Sequence, residues 1–313
     1  MPSLAPGTMR FRADFRSRTV LRMSQVVPQN EPVKVPRNAY PMVRISSEFF
    51  LRSVDLLTQL RGDRLISGLV FMAVWHNHMR DPDGGRVGMR ELARRLNLPY
   101  ETVRRHAAGL VRAGQCTATR EGIAVVPAAL KSRSTVDWMR KIYLNAERML
   151  IDLTRARLAK YEAPSRPTVR QGKLTREQMV IATASTRQIL AGIRMLGDLW
   201  NGDLLRGLVF SAIWTANVKH VINTAVAANQ AVLPDDQRRP VSILAISNSL
   251  RLPYETVRRH AIELEKAGIC HRVGRQGVIV PASEHRKLAG GTVQAHGMLT
   301  NMLAELRRAG LKA

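Results

Sequence analysis

The sequence predicts a mainly α protein that contains two copies of one unit in tandem. Ten residues, LPYETVRRHA, occupy positions 98–107 and recur without change at 252–261. A perfect match of this length marks an internal repeat. Segments on either side carry apolar residues at spacings of three and four, which is typical of amphipathic helices. We therefore expect two similar modules, joined and flanked by long helices.

The similarity between the two copies extends beyond the decapeptide. Upstream, GDRLISGLVFMAVW at 62–75 is similar to GDLLRGLVFSAIW at 202–214, with one deletion. The second copy then holds a longer connection, residues 223–240, where the first copy has the short turn at 81–85. Insertions in surface loops cost little free energy, so the same core is expected in both copies.

Three helices and a turn are predicted within each copy. In the first copy these are a buried, all-round apolar helix at 64–78, a short amphipathic helix at 88–96, and a helix that Pro99 opens and Gly114 ends. The second copy repeats this order, with Ser242 as the expected N-cap of its short helix.

A short β-hairpin is expected after each decapeptide helix. In the first copy, strands at 115–118 and 123–126 surround a turn at 120–122. In the second copy the hairpin covers 270–280, with its tip at 274–277. Each copy therefore has the order helix, helix, turn, helix, strand, turn, strand.

The charge of the chain points to a polyanionic partner. Lys and Arg together number 49 against 24 Asp and Glu, which gives a formal net charge of +25. Most of the excess is arginine, whose planar fork suits phosphate groups and guanine edges. Such a charge steers a protein towards nucleic acid over long distances. The hydrophobic content of 45% is ordinary for a globular protein.

Four regions are expected along the chain. Arginine and proline content predicts that residues 1–40 form a disordered basic arm, after which Ser46 or Ser47 caps a helix that ends at Leu60. The other regions are a first module with its flanking helices at 41–161, a linker at 162–174, and a second module with its flanking helices at 175–313. No apolar run is long enough to span a bilayer, so a cytoplasmic, nucleoid-associated protein is expected.

No pattern typical of an enzyme or a metal site is present in the sequence. Cys116 and Cys270 occupy the same place in the two copies and are expected to be small buried residues, with a redox pair as the less favoured alternative. His76 and His78 are two residues apart on a helix and so do not share a face. We expect no catalytic residues, no metal and no cofactor.

The string Glu-Thr-Val-Arg-Arg-His, preceded by a small or polar turn and followed by a hydrophobic pair and Ala-Gly, resembles the recognition helix of bacterial winged helix-turn-helix transcriptional regulators. The GntR, MarR and Crp-like families show a similar pattern of Thr-Val-Arg followed by Leu and a terminal Ala-Gly. The resemblance covers about 60 to 70 residues of each copy, on the scale of one such module. It implies two tandem winged helix-turn-helix modules, although no effector-binding domain of these families is recognisable.

The resemblance and helical geometry together give the candidate DNA-binding residues. A recognition helix enters the major groove by its N-terminal part. Arg105 is the candidate for bidentate contact with guanine and Glu101 for contact with a cytosine amine, while a surface ion pair between these two is the alternative. The arginines at the hairpin tips are candidates for the minor groove, with a solvated loop as the alternative. The full set is Tyr100, Glu101, Thr102, Arg104, Arg105, His106, Arg120, Tyr254, Glu255, Thr256, Arg258, Arg259, His260 and Arg275.

The function expected from this sequence is sequence-specific regulation of transcription through double-stranded DNA. RNA polymerase is the further partner considered for such a regulator. One chain would act as a pseudo-dimer, and a homodimer of chains is also considered. The alternatives are a replication initiator with two winged helices and a nucleoid-structuring protein that binds DNA without specificity.

Overall fold

We describe the fold from a computed structural model. Residues 33–313 form one compact unit, and the described residues are 33–62, 64–81, 85–162, 174–221 and 232–313. This part of the chain holds twelve α-helices and two small antiparallel sheets, so the protein is mainly α as predicted. Most of the predicted N-terminal arm, residues 1–32, lies outside the described residues.

The first helix begins earlier than the sequence predicted. Helix α1 spans Ala39–Leu60 with Asn38 as its N-cap, so Ser46 and Ser47 lie inside the helix. Their hydroxyls donate to backbone carbonyls one turn earlier. Burial explains the difference, because Tyr40 in the first turn is buried and packing of an apolar face outweighs a local capping preference.

The first copy has the elements predicted for it, within one or two residues at their ends. Its elements are α2 (Leu65–Arg80), α3 (Met89–Leu96), α4 (Tyr100–Arg112), β1 (Cys116–Thr119), β2 (Gly122–Val125) and the short α5 (Pro127–Leu130). Helix α2 is buried over most of its surface, as its all-round apolar sequence predicted.

The second copy repeats this order of elements. Its elements are α8 (Leu204–Val218), α9 (Ile243–Leu250), α10 (Tyr254–Lys266), β3 (His271–Val273), β4 (Gly277–Ile279) and α11 (Ala282–Lys287). The Ser242 hydroxyl accepts a hydrogen bond from the Ala245 N–H, which confirms the predicted N-cap of α9. The end of the longer connection is fixed by the buried Arg238, which donates to the carbonyls of Leu233 and Val280.

A backbone bridge ties each hairpin to the segment before the short helix. Val87 and Ile123 exchange two hydrogen bonds of 3.0 Å. Val241 and Val278 make the same exchange in the second copy, at 3.2 and 2.9 Å. These bridges could not be predicted from the sequence, since a single paired residue leaves no period-two pattern.

Four long helices hold the two copies together. Helix α6 (Arg133–Arg155) packs on α1 and on α7 (Arg176–Leu199), and α12 (Ala289–Arg308) packs on the same two helices. Buried apolar stripes line these contacts, at Met149, Leu150 and Leu153 of α6 and at Leu299, Met302, Leu303 and Leu306 of α12. Leu144 of α6, although apolar, is 39% exposed.

Each copy is also supported by the first helix of the other copy. Asn97, in the turn between α3 and α4, donates to Asp198 of α7 at 2.9 Å. At the corresponding turn between α9 and α10, Arg251 donates to Asp55 of α1 at 2.5 Å. The two copies are therefore joined reciprocally, through equivalent positions.

Both cysteines are buried and free, as the sequence predicted. Cys116 is 3% exposed and Cys270 is 2% exposed. Burial raises the pKa of Cys116 to about 11 and that of Cys270 to about 12. Neither thiol is therefore poised to react as a thiolate near neutral pH.

None of the described helices combines the length and the apolar character that a bilayer crossing requires.

Candidate nucleic-acid interface

The two decapeptide helices, α4 and α10, are oriented by the same local structure. Each follows a turn whose non-glycine residue has a left-handed conformation, Asn97 at φ 48° and Arg251 at φ 51°. In α4 the side chains of Val103, Ala107 and Leu110 are buried against the rest of the first copy. This inward stripe fixes which residues of the helix face outwards.

The outward face of each decapeptide helix carries the residues that the sequence predicted. In α4, Tyr100 is 43% exposed, and Glu101, Arg104 and Arg105 are exposed as well. In α10, Tyr254 is 45% exposed. The remaining exposed residues of α10 at these positions are Glu255, Arg258 and Arg259. Thr102 and Thr256 are half-buried at the edge of the same face.

The ion pair on each outward face differs from the one that was considered. Glu101 accepts a hydrogen bond from Arg104 at 2.8 Å, and Glu255 accepts one from Arg258 at 3.0 Å. The pair between Glu101 and Arg105 that the sequence analysis weighed as an alternative does not form. Within the described ranges, Arg105 makes no ion pair, so its guanidinium has its hydrogen-bonding fork available.

His106 lies at the rear of α4 and is partly buried. Its Nδ1 is 2.8 Å from the hydroxyl of Ser67 on α2. Burial lowers the pKa of His106, and the neighbouring charges of Arg105 and Arg64 lower it further. The neutral ring is therefore favoured, and its hydrogen bond connects the decapeptide helix to the buried helix behind it.

The structure places His260, the counterpart of His106, inside the protein. This ring is only 5% exposed, so His260, one of the candidate DNA-binding residues, is corrected to a residue that supports α10 from within. Its Nδ1 lies 3.5 Å from a carboxylate oxygen of Glu263 and 3.8 Å from one of Asp203. An identical decapeptide therefore has two different inner environments.

Asp203, His260 and Glu263 form a group that sequence analysis missed. In the part of the chain that the structure describes, these three residues bring one possible metal-ligand atom each within 4.8 Å of one another. Arg206 already lies against both carboxylates, 2.6 Å from Glu263 and 3.4 Å from Asp203. Since Arg206 pairs with both carboxylates, the group acts as an ion-pair network that anchors α10 to α8. This group could not be predicted from the sequence because Asp203 is far from the decapeptide along the chain.

The hairpin tips carry the two predicted arginines. Arg120 and Arg275 are exposed at the turns of their hairpins. The backbone of each hairpin lies against the segment before the short helix of the same copy, and a glycine after the hairpin tip allows this close approach. Gly122 has φ +142°, and a Cβ there would meet the Val87 carbonyl oxygen at 2.5 Å. Gly277 has φ +136° and meets the Val241 carbonyl in the same way, so only glycine fits at either position.

Comparison of this chain with protein-family models, with curated proteins and with solved structures gave no match.

Proposed function

We propose that this protein is a sequence-specific regulator of transcription that binds double-stranded DNA through two winged helix-turn-helix modules. The observation that carries the proposal is the repetition of one outward face, Tyr-Glu-x-x-Arg-Arg, on α4 and α10. A surface side chain is usually free to change without loss of stability. Two identical exposed faces on one chain therefore indicate a shared ligand.

The order of elements around each face supports the winged-helix assignment. The short helix, the turn and the decapeptide helix correspond to a helix-turn-helix, and the hairpin corresponds to the wing. The bridge between Val87 and Ile123 supplies the third short strand that would hold such a wing against the helices.

The electrostatics of the two faces support DNA as the ligand. Arg105 and Arg259 each offer two parallel donors, which suits the O6 and N7 acceptors of guanine in the major groove. Arg120 and Arg275 at the hairpin tips would contact the backbone or a narrow minor groove. The net charge of +25 supplies the long-range attraction to a polyanion.

The reciprocal contacts between the copies imply a fixed spacing of half-sites. Because α1 and α7 each support the opposite copy, the two decapeptide helices would engage DNA as one unit. Covalent connection raises the effective concentration for the second contact, so two weak modules would form one tight binder. In this proposal one chain does what a dimer of single-module regulators does, and it associates with the nucleoid and with RNA polymerase.

The experiment that tests the proposal is selection of bound duplexes from random DNA by the purified full-length protein at physiological salt. We expect an enriched motif with two related half-sites at constant spacing. Reporter transcription from a promoter that carries this motif would then show whether binding regulates expression.

The other results of this selection distinguish the remaining functions. Tight, salt-sensitive binding with no enriched motif would favour a nucleoid-structuring protein, since phosphate contacts alone carry no sequence information. Absence of binding to duplex DNA at low salt would refute the proposal.

A further inference from the structure

The buried helix of each copy presents the same two aromatic residues to the central helices. Phe71 and Trp75 of α2 correspond to Phe210 and Trp214 of α8 in the repeat. In the first copy both rings pack edge-on against Trp138 of α6, with centroid separations of 6.5 and 5.6 Å. This indole ring, only 3% exposed, fills the space in front of the helix.

The second copy has a cavity in front of the same two aromatic residues. Phe210 and Trp214 line a cavity of about 120 Å³. The residues near the start of α12 that line this cavity are small, namely Gly291, Thr292 and Ala295. No large aromatic side chain of α12 therefore occupies the place that Trp138 of α6 occupies in the first copy.

The cavity is mostly apolar and reaches the surface. Its walls come from four helices, with Phe50 on α1, Leu196 on α7, Phe210 on α8 and Met298 on α12 among them. Leu199, which is 40% exposed, forms part of its rim, so a small molecule has a route in from solvent.

Two other rings cover parts of these aromatic residues without filling this space. The buried Trp200 ring lies 5.2 Å from the Phe210 ring and also lines the cavity. The His285 ring lies 4.9 Å from the Trp214 ring, and it also contacts Tyr40 of α1 at 5.4 Å. Burial and nearby arginines lower the pKa of His285 to about 3, so the ring is neutral at physiological pH. His285 therefore adds a further uncharged aromatic surface to the wall.

We propose that this cavity is a binding site for a small uncharged aromatic molecule of about the size of indole. In the first copy the space in front of the two aromatic residues takes the indole ring of Trp138. An enclosed apolar cavity of roughly 150 Å³ binds benzene, so about 120 Å³ is on the scale of one aromatic ring, and the opening beside Leu199 leaves room for the second ring of an indole. The flat ring would lie against Phe210 and Trp214, as Trp138 lies against their counterparts.

The position of the cavity gives the bound molecule a regulatory role, which rests on the proposed function. Its walls include α1 and α7, the two helices that support the turns of the opposite copies. A molecule in the cavity would stabilise one arrangement of these helices and so change how the two modules engage paired half-sites.

Equilibrium dialysis of the full-length protein against indole tests the site directly. We expect saturable binding of one indole per chain and a raised Tm at saturating indole. Thr292→Trp places an indole ring at the wall of the cavity, and it should weaken indole binding at least about tenfold because the space is filled. Thr292→Val is the matched control, since it keeps the volume of the side chain, and it should bind indole like the unchanged protein.

A second variant that fills the cavity provides an independent test if Thr292→Trp does not fold. Ala295 lines the cavity from the next turn of α12, and Ala295→Phe should also abolish saturable binding. Thermal unfolding and circular dichroism establish that each variant is folded. Failure of the unchanged protein to bind indole saturably, or equal binding by a folded filling variant, would overturn the proposal of a site.

Measurement of DNA affinity separates the site from its regulatory role. With indole bound, we expect a change of at least about threefold in affinity for a duplex with two half-sites and little change for one half-site. Equal DNA affinities with and without indole would overturn the regulatory role. The dialysis result alone would then decide whether the cavity is a binding site. Loss of specific DNA binding itself would refute the proposed function, and the dialysis result does not depend on it.

Discussion

The two decapeptide helices have one sequence and two environments. Behind α4, His106 is partly buried and bonds to the hydroxyl of Ser67. Behind α10, His260 is buried beside an ion-pair network in which Arg206 replaces that serine and Glu263 replaces Gly109. The outward face is the same in both copies while its inner support has changed. The residues of the outward face are therefore the same although the packing behind them differs. This is the pattern expected if both faces bind the same ligand.

A second difference between the copies lies in front of the buried helices. In the first copy the Trp138 ring fills the space in front of the buried helix, whereas the second copy has a cavity there with Thr292 in its wall. The two copies therefore have the same outward face and different packing behind it. The first copy is the more completely packed at this position.

Removal of Trp138 is expected to have the largest effect and to sharpen this comparison. Trp138→Ala should lower the free energy of unfolding by about 3–5 kcal/mol, because it removes a buried ring and leaves a cavity. Thr292→Ala, at the wall of the cavity in the second copy, should cost less than about 1 kcal/mol since the space beside it is already open. Urea unfolding of both variants measures the difference, and equal losses would show that the two sites are packed alike.

Substitution of the unpaired arginines tests whether the two outward faces contribute equally to DNA binding. Arg105→Ala and Arg259→Ala should each weaken binding to a selected duplex by about 1–3 kcal/mol and relax specificity at one base position. Titration against matched and mismatched duplexes measures both effects. Arg176→Ala, which removes an exposed arginine outside the two faces, is the control for net charge. A large effect from only one of the two would mean that the faces are not equivalent in function.

Acid should destabilise the protein through two of its buried histidines, His76 and His285. Burial and nearby arginines lower the pKa of His76 to about 4, and similar causes lower the pKa of His285 to about 3. The unfolded chain binds these protons near pH 6.5, so the contribution of the neutral rings is complete above that pH and is lost as the pH falls towards 4.

The size of this acid effect is roughly 2 kcal/mol per histidine by pH 4.5. His76→Gln keeps a hydrogen-bonding group near Thr186 and should flatten the pH dependence of unfolding between pH 6.5 and 4.5. His78→Gln is the matched control, since His78 lies two residues away on the same helix. An unchanged pH profile for His76→Gln would assign the acid sensitivity elsewhere.

The reciprocal turn contacts should give the smallest effect on stability. Arg251→Ala removes an ion pair to Asp55 that is partly exposed, so the expected loss is about 0.2–1 kcal/mol. Asn97→Ala removes the equivalent contact to Asp198 and should cost a similar amount. Denaturant midpoints measure these losses. A much larger loss from one variant would show that the two copies are not joined equivalently.

Much of the fold follows from patterns that are local in the sequence. The exposed positions of α4 follow from the spacing of Val103, Ala107 and Leu110 at helical intervals, and the hairpin turn at Arg120 follows from the glycine beside it. The start of α1 could not be obtained in this way, because Tyr40 is helical through its burial against residues far along the chain. The same limit applies to Leu144, whose apolar character alone did not show that it faces solvent.

Only part of the candidate site could be predicted from the sequence. Identical residues in two copies gave identical outward faces, but burial of His260 depends on Arg206 and Glu263, which the first copy lacks. The partner of Glu101 was set by the rotamer that brings Arg104 within reach, and helical spacing allows either arginine.

The sequence by itself determined the repeat, the basic character of the chain, the three helices and hairpin of each copy, and which residues of the decapeptide face outwards. These depend on the order of neighbouring residues and on helical periodicity. Only the tertiary structure decided the reciprocal support of the two turns, the network around His260 and the cavity beside Thr292. Each of these brings together residues from distant parts of the chain, and their distances are fixed by the packing of whole helices.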